Sequence, residues 1–263
     1  DPSALSVLRN GFEVLDPALR PCLVGALARE KSPRSLLVLL EILGQDRAVD
    51  DLVLAAIGGS DPRHEDLLLG PCVDALRVHL DATDPALVRS AVSGLGHWRD
   101  GQSLPFLIEM LDSQDKSLAW VVHRALQDIS GVSYSAVGTT WRQWLGSQER
   151  WYRERRPISL DQLPQGDPAR TVEALRELSE HRLYFREIAQ DIVPLLNDPN
   201  PAIVRSACAA LERLLASSAL PALVELLDDP REELRLAAHR ALCKIGRTTL
   251  PPHASAWRAW LGS

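Results

Sequence analysis

PALVRSAVSGL at Pro85–Leu95 returns as PAIVRSACAAL at Pro201–Leu211, 116 positions later. A single shift of 116 aligns Asp81–Ser147 with Asn197–Ser263 without a gap, and 25 of the 67 positions are identical. LPFLIEMLD (Leu104–Asp112) meets LPALVELLD (Leu220–Asp228), and HRALQDI (His123–Ile129) meets HRALCKI (His239–Ile245). TWRQWLGS, ending at Ser147, meets AWRAWLGS, ending at Ser263. A shared bias toward Leu and Ala gives several-fold fewer matches, so the chain reads as a tandem duplication.

Each copy holds a shorter period. VRSAVSGL from Val88 and WVVHRAL ending at Leu126 occupy matching phases 31 residues apart, as do VRSACAAL from Val204 and LRLAAHRAL ending at Leu242. Each unit reads as two amphipathic helices. The first carries apolar residues at i, i+3, i+4 and i+7, as at Leu220, Leu223, Val224 and Leu227. The second is rich in alanine, whose small side chain lets neighbouring helices approach closely. Asp84 and Asn200 stand before proline, the pattern of an N-cap with Pro at the first helical position. Only VSYSAV (Val132–Val137) alternates like a strand, and its place between helices marks it as a connector. A two-helix hairpin cannot hide its apolar faces alone, so such units stack.

DP-x-x-VR-x-A-x-x-AL and LP-x-LV-x-LLD resemble HEAT repeats, in particular the short bacterial HEAT-like units also seen in phycobilin lyases. The resemblance covers most of Leu52–Ser263. It implies an all-α, right-handed α-solenoid, internally duplicated, with a concave surface lined by the second helices. It also implies a ladder between repeats, from the acid before each second helix and the arginine just inside it. The matching residues are Asp84 with Arg89, and Asn200 with Arg205, while Arg235 follows Asp229; the asparagine and the displaced acid depart from the pattern.

The expected organisation is an N-terminal helical segment over 1–51 and a first half over 52–156. A Pro-rich linker over 157–167 (in PISLDQLPQGDP) and a second half over 168–263 follow. The tryptophan octets hold no nucleophile, base or metal ligand. Trp141, Trp144 and Leu145, like Trp257, Trp260 and Leu261, make an i, i+3, i+4 ridge, so each octet is expected to be a short helix capping a stack. His123 and His239 have no second His, Asp or Glu three or four residues away, and are expected to pack or hydrogen-bond rather than bind metal.

Composition narrows the function. The 263-residue chain carries 29 basic and 35 acidic residues, a net charge of −6, which opposes nucleic-acid binding by bulk charge. The longest apolar run, LLVLLEIL (Leu36–Leu43), is shorter than the roughly 18 residues that span a bilayer. The sequence opens at Asp1 rather than Met, so any targeting segment is expected to have been removed. The compartment is left open, with the cytoplasm favoured. Cys22, Cys72, Cys208 and Cys243 are isolated and are expected to be small buried hydrophobes rather than ligands or a disulfide.

No GxSxG, HExxH or phosphate loop occurs. Di-iron hydroxylases of HEAT-like fold carry several His-Glu pairs, whereas this chain has His64-Glu65 and, at the aligned position, the reversed Glu180-His181. No catalytic, cofactor or metal site is therefore expected, and the chain is expected not to be an enzyme. A non-enzymatic scaffold or adaptor with a protein partner is the leading reading. The alternatives are a lyase- or chaperone-like module holding a small molecule or client, and a nucleic-acid binder using Arg150, Arg153, Arg155 and Arg156. Candidate partner contacts are aromatic and basic residues that differ between the copies: Trp98, Trp151, Tyr152, Arg153, Arg156, Tyr184 and Phe185. Trp98 and Trp120 face Leu214 and Leu236 in the alignment, and a bulkier core residue is the alternative to partner contact for each.

Overall fold

The computed structural model describes residues 11–30, 32–60, 65–163 and 167–262, and among them every regular element is helical. Contacts divide the chain into two units, 1–142 and 143–263. The first holds α1 (Arg20–Glu30), α2 (Pro33–Ile42), α3 (Asp50–Gly58), α4 (Glu65–Val78), α5 (Pro85–His97), α6 (Leu104–Met110) and α7 (Lys116–Ser130). The division falls inside α8 (Gly138–Glu154). The second unit continues with α9 (Arg156–Asp161), α10 (Pro168–Leu178), α11 (Phe185–Ile192), α12 (Pro201–Leu214), α13 (Leu220–Glu225), α14 (Glu232–Ile245) and α15 (Ala254–Leu261).

The second helices start where the Asx-Pro steps put them. Asp84 Oδ1 accepts the Ala86 amide at 2.8 Å, Asp167 the Ala169 amide at 3.0 Å and Asn200 the Ala202 amide at 2.9 Å. Each such bond satisfies an amide that the first turn leaves without a helical partner. Asp115 caps α7 in the same way, through the amides of Ser117 and Leu118. In the first unit α1, α3, α5 and α7 pack in that order as a row, and α2, α4 and α6 pack against it. In the second unit α10, α12 and α14 form the row, with α11 on α12 and α13 on α14.

Leu36, Val38, Leu39 and Ile42 share one buried core with Val53, Leu54 and Ile57. The stretch expected as a linker over 157–167 holds α9, with Ser159 buried and α10 against it. Pro157 does not break the chain there. It lies in the first turn, where a missing amide hydrogen costs nothing.

The duplication extends to the backbone. Arg99 (φ 54°) and Leu215 (φ 53°) are matching left-handed residues after α5 and α12, and the next amide in each reaches back five residues, Asp100 N to Leu95 O and Ala216 N to Leu211 O. Gly131 (φ 74°) and Arg247 (φ 51°) match in the same way after α7 and α14. Neither Arg nor Leu adopts this conformation freely, so the αL turn is imposed by the hydrogen bonds and packing around it.

Two differences separate the copies internally. In the first unit, α3 and α5 meet at Gly58 and Gly94: a Cβ on Gly58 would lie 2.5 Å from Gly94 Cα, and one on Gly94 2.9 Å from Gly58 Cα. The aligned residues of the second unit are Ala174 and Ala210, both buried. The first unit also buries a polar network. Asp100 accepts the Arg77 guanidinium through both oxygens and takes a short bond from the Ser103 hydroxyl. At the aligned positions the second unit has Val193, Ala216 and Ala219.

Candidate functional site

The octets and the two histidines form one repeated device. His123 Nε2 lies 2.7 Å from the Tyr134 carbonyl, and His239 Nε2 2.7 Å from that of Leu250. Each oxygen can only accept, so each ring carries its proton on Nε2. Trp141 donates through Nε1 to Ser135 O at 2.9 Å, and Trp257 to Pro251 O at 3.1 Å. His123 meets Trp141 edge-on at 6.3 Å, and His239 meets Trp257 edge-on at 6.1 Å. Imidazole and indole together clamp the connector that follows each second helix, and both indoles are fully buried. Only the second octet lies on a short helix. The first is the opening of the 17-residue α8.

Beyond its octet, α8 carries the expected contact residues Trp151, Tyr152 and Arg153, and the second unit gathers most of that set around it. The Trp151 ring stacks on the His181 imidazole with centroids 3.4 Å apart, and its Nε1 donates to Glu177 Oε1 at 3.3 Å. Tyr152 lies on Tyr184 at 4.1 Å, while Arg156 sits over Tyr152 and pairs with Asp191 at 2.6 Å. Phe185 is buried in the core beneath Arg186. Arg153 is exposed and donates to the Glu149 carbonyl, one turn back. Trp98 stands apart in the first unit, 4% exposed and bonded to Ile57 O. Trp151, Tyr152, Arg156 and Tyr184 are thus brought together, and their contacts run inward.

Burial between these rings lowers the His181 pKa from 6.5 to about 4. The unfolded chain therefore takes up a proton below pH 6.5 that the folded chain refuses until about pH 4. Stability from this residue is present above pH 6.5 and is lost as pH falls through that window. Melting followed from pH 7 to pH 4 is expected to fall less in His181→Phe than in the natural chain, by an amount on the order of 1–3 kcal/mol. Parallel curves would show that His181 does not carry the effect.

Of the two readings of Trp120, the core one does not hold. The indole is 68% exposed, and its counterpart Leu236 is 59% exposed. Trp120 borders an open groove of about 560 Å³ along α3, α5 and α7, whose floor is Gly58 and Gly94 and whose walls include Arg89, His97 and Arg124. The aligned face of α12 and α14 borders a second groove of about 450 Å³.

Residues 158–249 match a family model described as HEAT repeats. These residues are HEAT repeats. No curated protein matches the chain. Among solved structures it is similar to an archaeal HEAT-like repeats protein from Thermococcus onnurineus NA1, at 16% identity and a TM-score of 0.38, covering 92% of this chain and 97% of that one. It is also similar to a designed armadillo repeat protein in complex with peptide (KR)4, at 15% identity and a TM-score of 0.39, covering 92% and 99%. Human deoxyhypusine hydroxylase matches at 14% identity and a TM-score of 0.36, covering 93% and 96%. Such distant likenesses say nothing about what this chain binds.

One rung of the HEAT ladder is present in the first unit, where Arg89 reaches Asp115, the cap of the next second helix, at 3.6 Å. In the second unit Asp229 is taken by Arg231 at 2.9 Å, which holds its carboxyl down at a pKa of about 2, and Arg235 turns to the Asp229 and Pro230 carbonyls. Among the described residues no cluster of His, Cys, Asp or Glu is placed to hold a metal ion. His64, Ser3 and Ser6 lie outside the described residues. Burial pushes the Cys72 and Cys208 thiols up to about 12, as for small core residues, whereas Cys22, expected in the core, is exposed. No helix among the described residues is long and apolar enough to cross a membrane.

Proposed function

We propose that this HEAT-repeat chain is a non-enzymatic scaffold or adaptor that holds a segment of a partner protein against the faces of its second helices. The observation that supports this most is the pair Trp120 and Leu236. Both copies keep a large apolar side chain in water at the same outward position, where packing does not require one. In the first unit that side chain stands at a groove walled by two arginines. Tryptophan and arginine dominate the energetics of protein interfaces when a partner covers them. The exposed Arg153, with the half-buried Tyr152 and Tyr184, is proposed as a lesser contact.

Trp120→Ala removes no core atom, so its melting temperature is expected to stay within about 0.5 kcal/mol-equivalent of the natural chain. Recovery of a protein partner from nuclease-treated native extract is expected to fall at least about 10-fold. Undiminished recovery would remove Trp120 from the interface. A partner lost on nuclease treatment would favour nucleic acid instead.

A further inference from the structure

The groove of the second unit differs in charge from its counterpart. Arg182, Arg213, Arg240 and Lys244 line it, with Glu212 as the one acid, and Ala209 and Leu215 contribute apolar floor. Glu212 is occupied by Arg240 at 2.8 Å. Arg213 donates to the neutral Ser179 hydroxyl, and Lys244 is exposed. The site therefore carries a surplus of positive charge on a chain whose net charge is −6.

Folding does not demand those cations. The first copy has Asp66, His97 and Asp128 in the sequence positions of Arg182, Arg213 and Lys244, and keeps only Arg124 opposite Arg240. Two acids in one copy are two bases in the other. Like charges crowded round a groove repel one another, so an array of this kind is stabilised when an anion fills it.

We infer that the groove between α12 and α14 takes the carboxylates of an acidic, Asp- or Glu-bearing segment of the partner. This rests on the reading that second-helix faces hold a protein segment, and it assigns the chemistry of that segment. Guanidinium groups present paired donors that match a carboxylate, and Lys244 adds a mobile point charge. A cavity of about 450 Å³ suits a few side chains rather than a duplex, and the acidic remainder of the chain repels a long polyanion.

The test uses a fluorescein-labelled dodecapeptide of alternating glutamate and alanine, read by anisotropy on the full chain, beside a lysine-alanine peptide and a single-stranded thymidine oligonucleotide. The glutamate peptide is expected to bind at low salt and to weaken as salt rises. Arg213→His with Lys244→Asp puts the first copy's residues at two of the groove's basic positions, so folding is expected to survive, and binding is expected to fall at least about 10-fold. No binding, binding untouched by the double variant, or tighter binding of the oligonucleotide at the same residues would each overturn the inference. Failure here with Trp120-dependent capture of a partner intact would leave the scaffold reading standing.

Discussion

Trp257→Ala is expected to destabilise the chain by about 3–5 kcal/mol, a large part of the roughly 5–15 kcal/mol that typically separates folded from unfolded protein. The indole is fully buried, meets His239 and Trp260 edge-on and donates to Pro251 O. Truncation would remove that area from the core and leave a void that the short helix α15, which ends at Leu261, cannot close alone. The His239 clamp on Leu250 would lose its aromatic wall as well. Urea denaturation followed by circular dichroism gives the value, and Trp141→Ala should behave alike because that indole too is fully buried, meets its histidine edge-on and donates to its connector. If both variants unfold at the natural midpoint, the octets have no capping role.

The second large effect is expected from the addition of one carbon. Gly58→Ala places a Cβ 2.5 Å from Gly94 Cα, where the obstacle is backbone rather than a side chain that could swing away. Helices α3 and α5 must then separate, and overpacking of this kind costs about 1–3 kcal/mol or more. The preference between glycine and alanine should invert in the other copy. Ala174→Gly removes a buried methyl and weakens α10, at a cost of about 1 kcal/mol. Thermal melts of the two variants, with hydrogen exchange over residues 50–58 and 88–97, check both. A stable, unshifted Gly58→Ala would show that the close approach at Gly94 is not tight.

Much of this architecture was legible before any coordinates. Helix starts followed from Asp84-Pro85 and Asn200-Pro201 because capping is local chemistry. The burial of Trp141 and Trp257 followed from their retention in both copies. The run of α8 into ERWYRERRP (Glu149–Pro157) was legible as the extension of a helix. That the first octet opens this helix rather than forming a short one of its own was not, because a glycine inside a helix costs only about 1 kcal/mol and the Ser147 hydroxyl bonds back to the Trp144 carbonyl. The exposure of Trp120 was legible and overlooked. Val122, Ala125, Leu126 and Ile129 define the buried side of α7, and at about 100° per residue Trp120 falls roughly opposite them. The inward turn of Trp151 and Tyr184 was not legible, since it depends on His181 and Tyr152 arriving from other elements.

Arg77, Asp100 and Ser103 in one unit, and Val193, Ala216 and Ala219 in the other, are two answers to one problem of filling space. Moving from either answer to the other by single replacements passes through a charge in the interior without its partner, or a hydroxyl without an acceptor. The three positions are therefore coupled, and the effect of changing all of them is not the sum of the separate changes. A chain that carries both arrangements holds the two ends of that coupled change side by side in a single polypeptide.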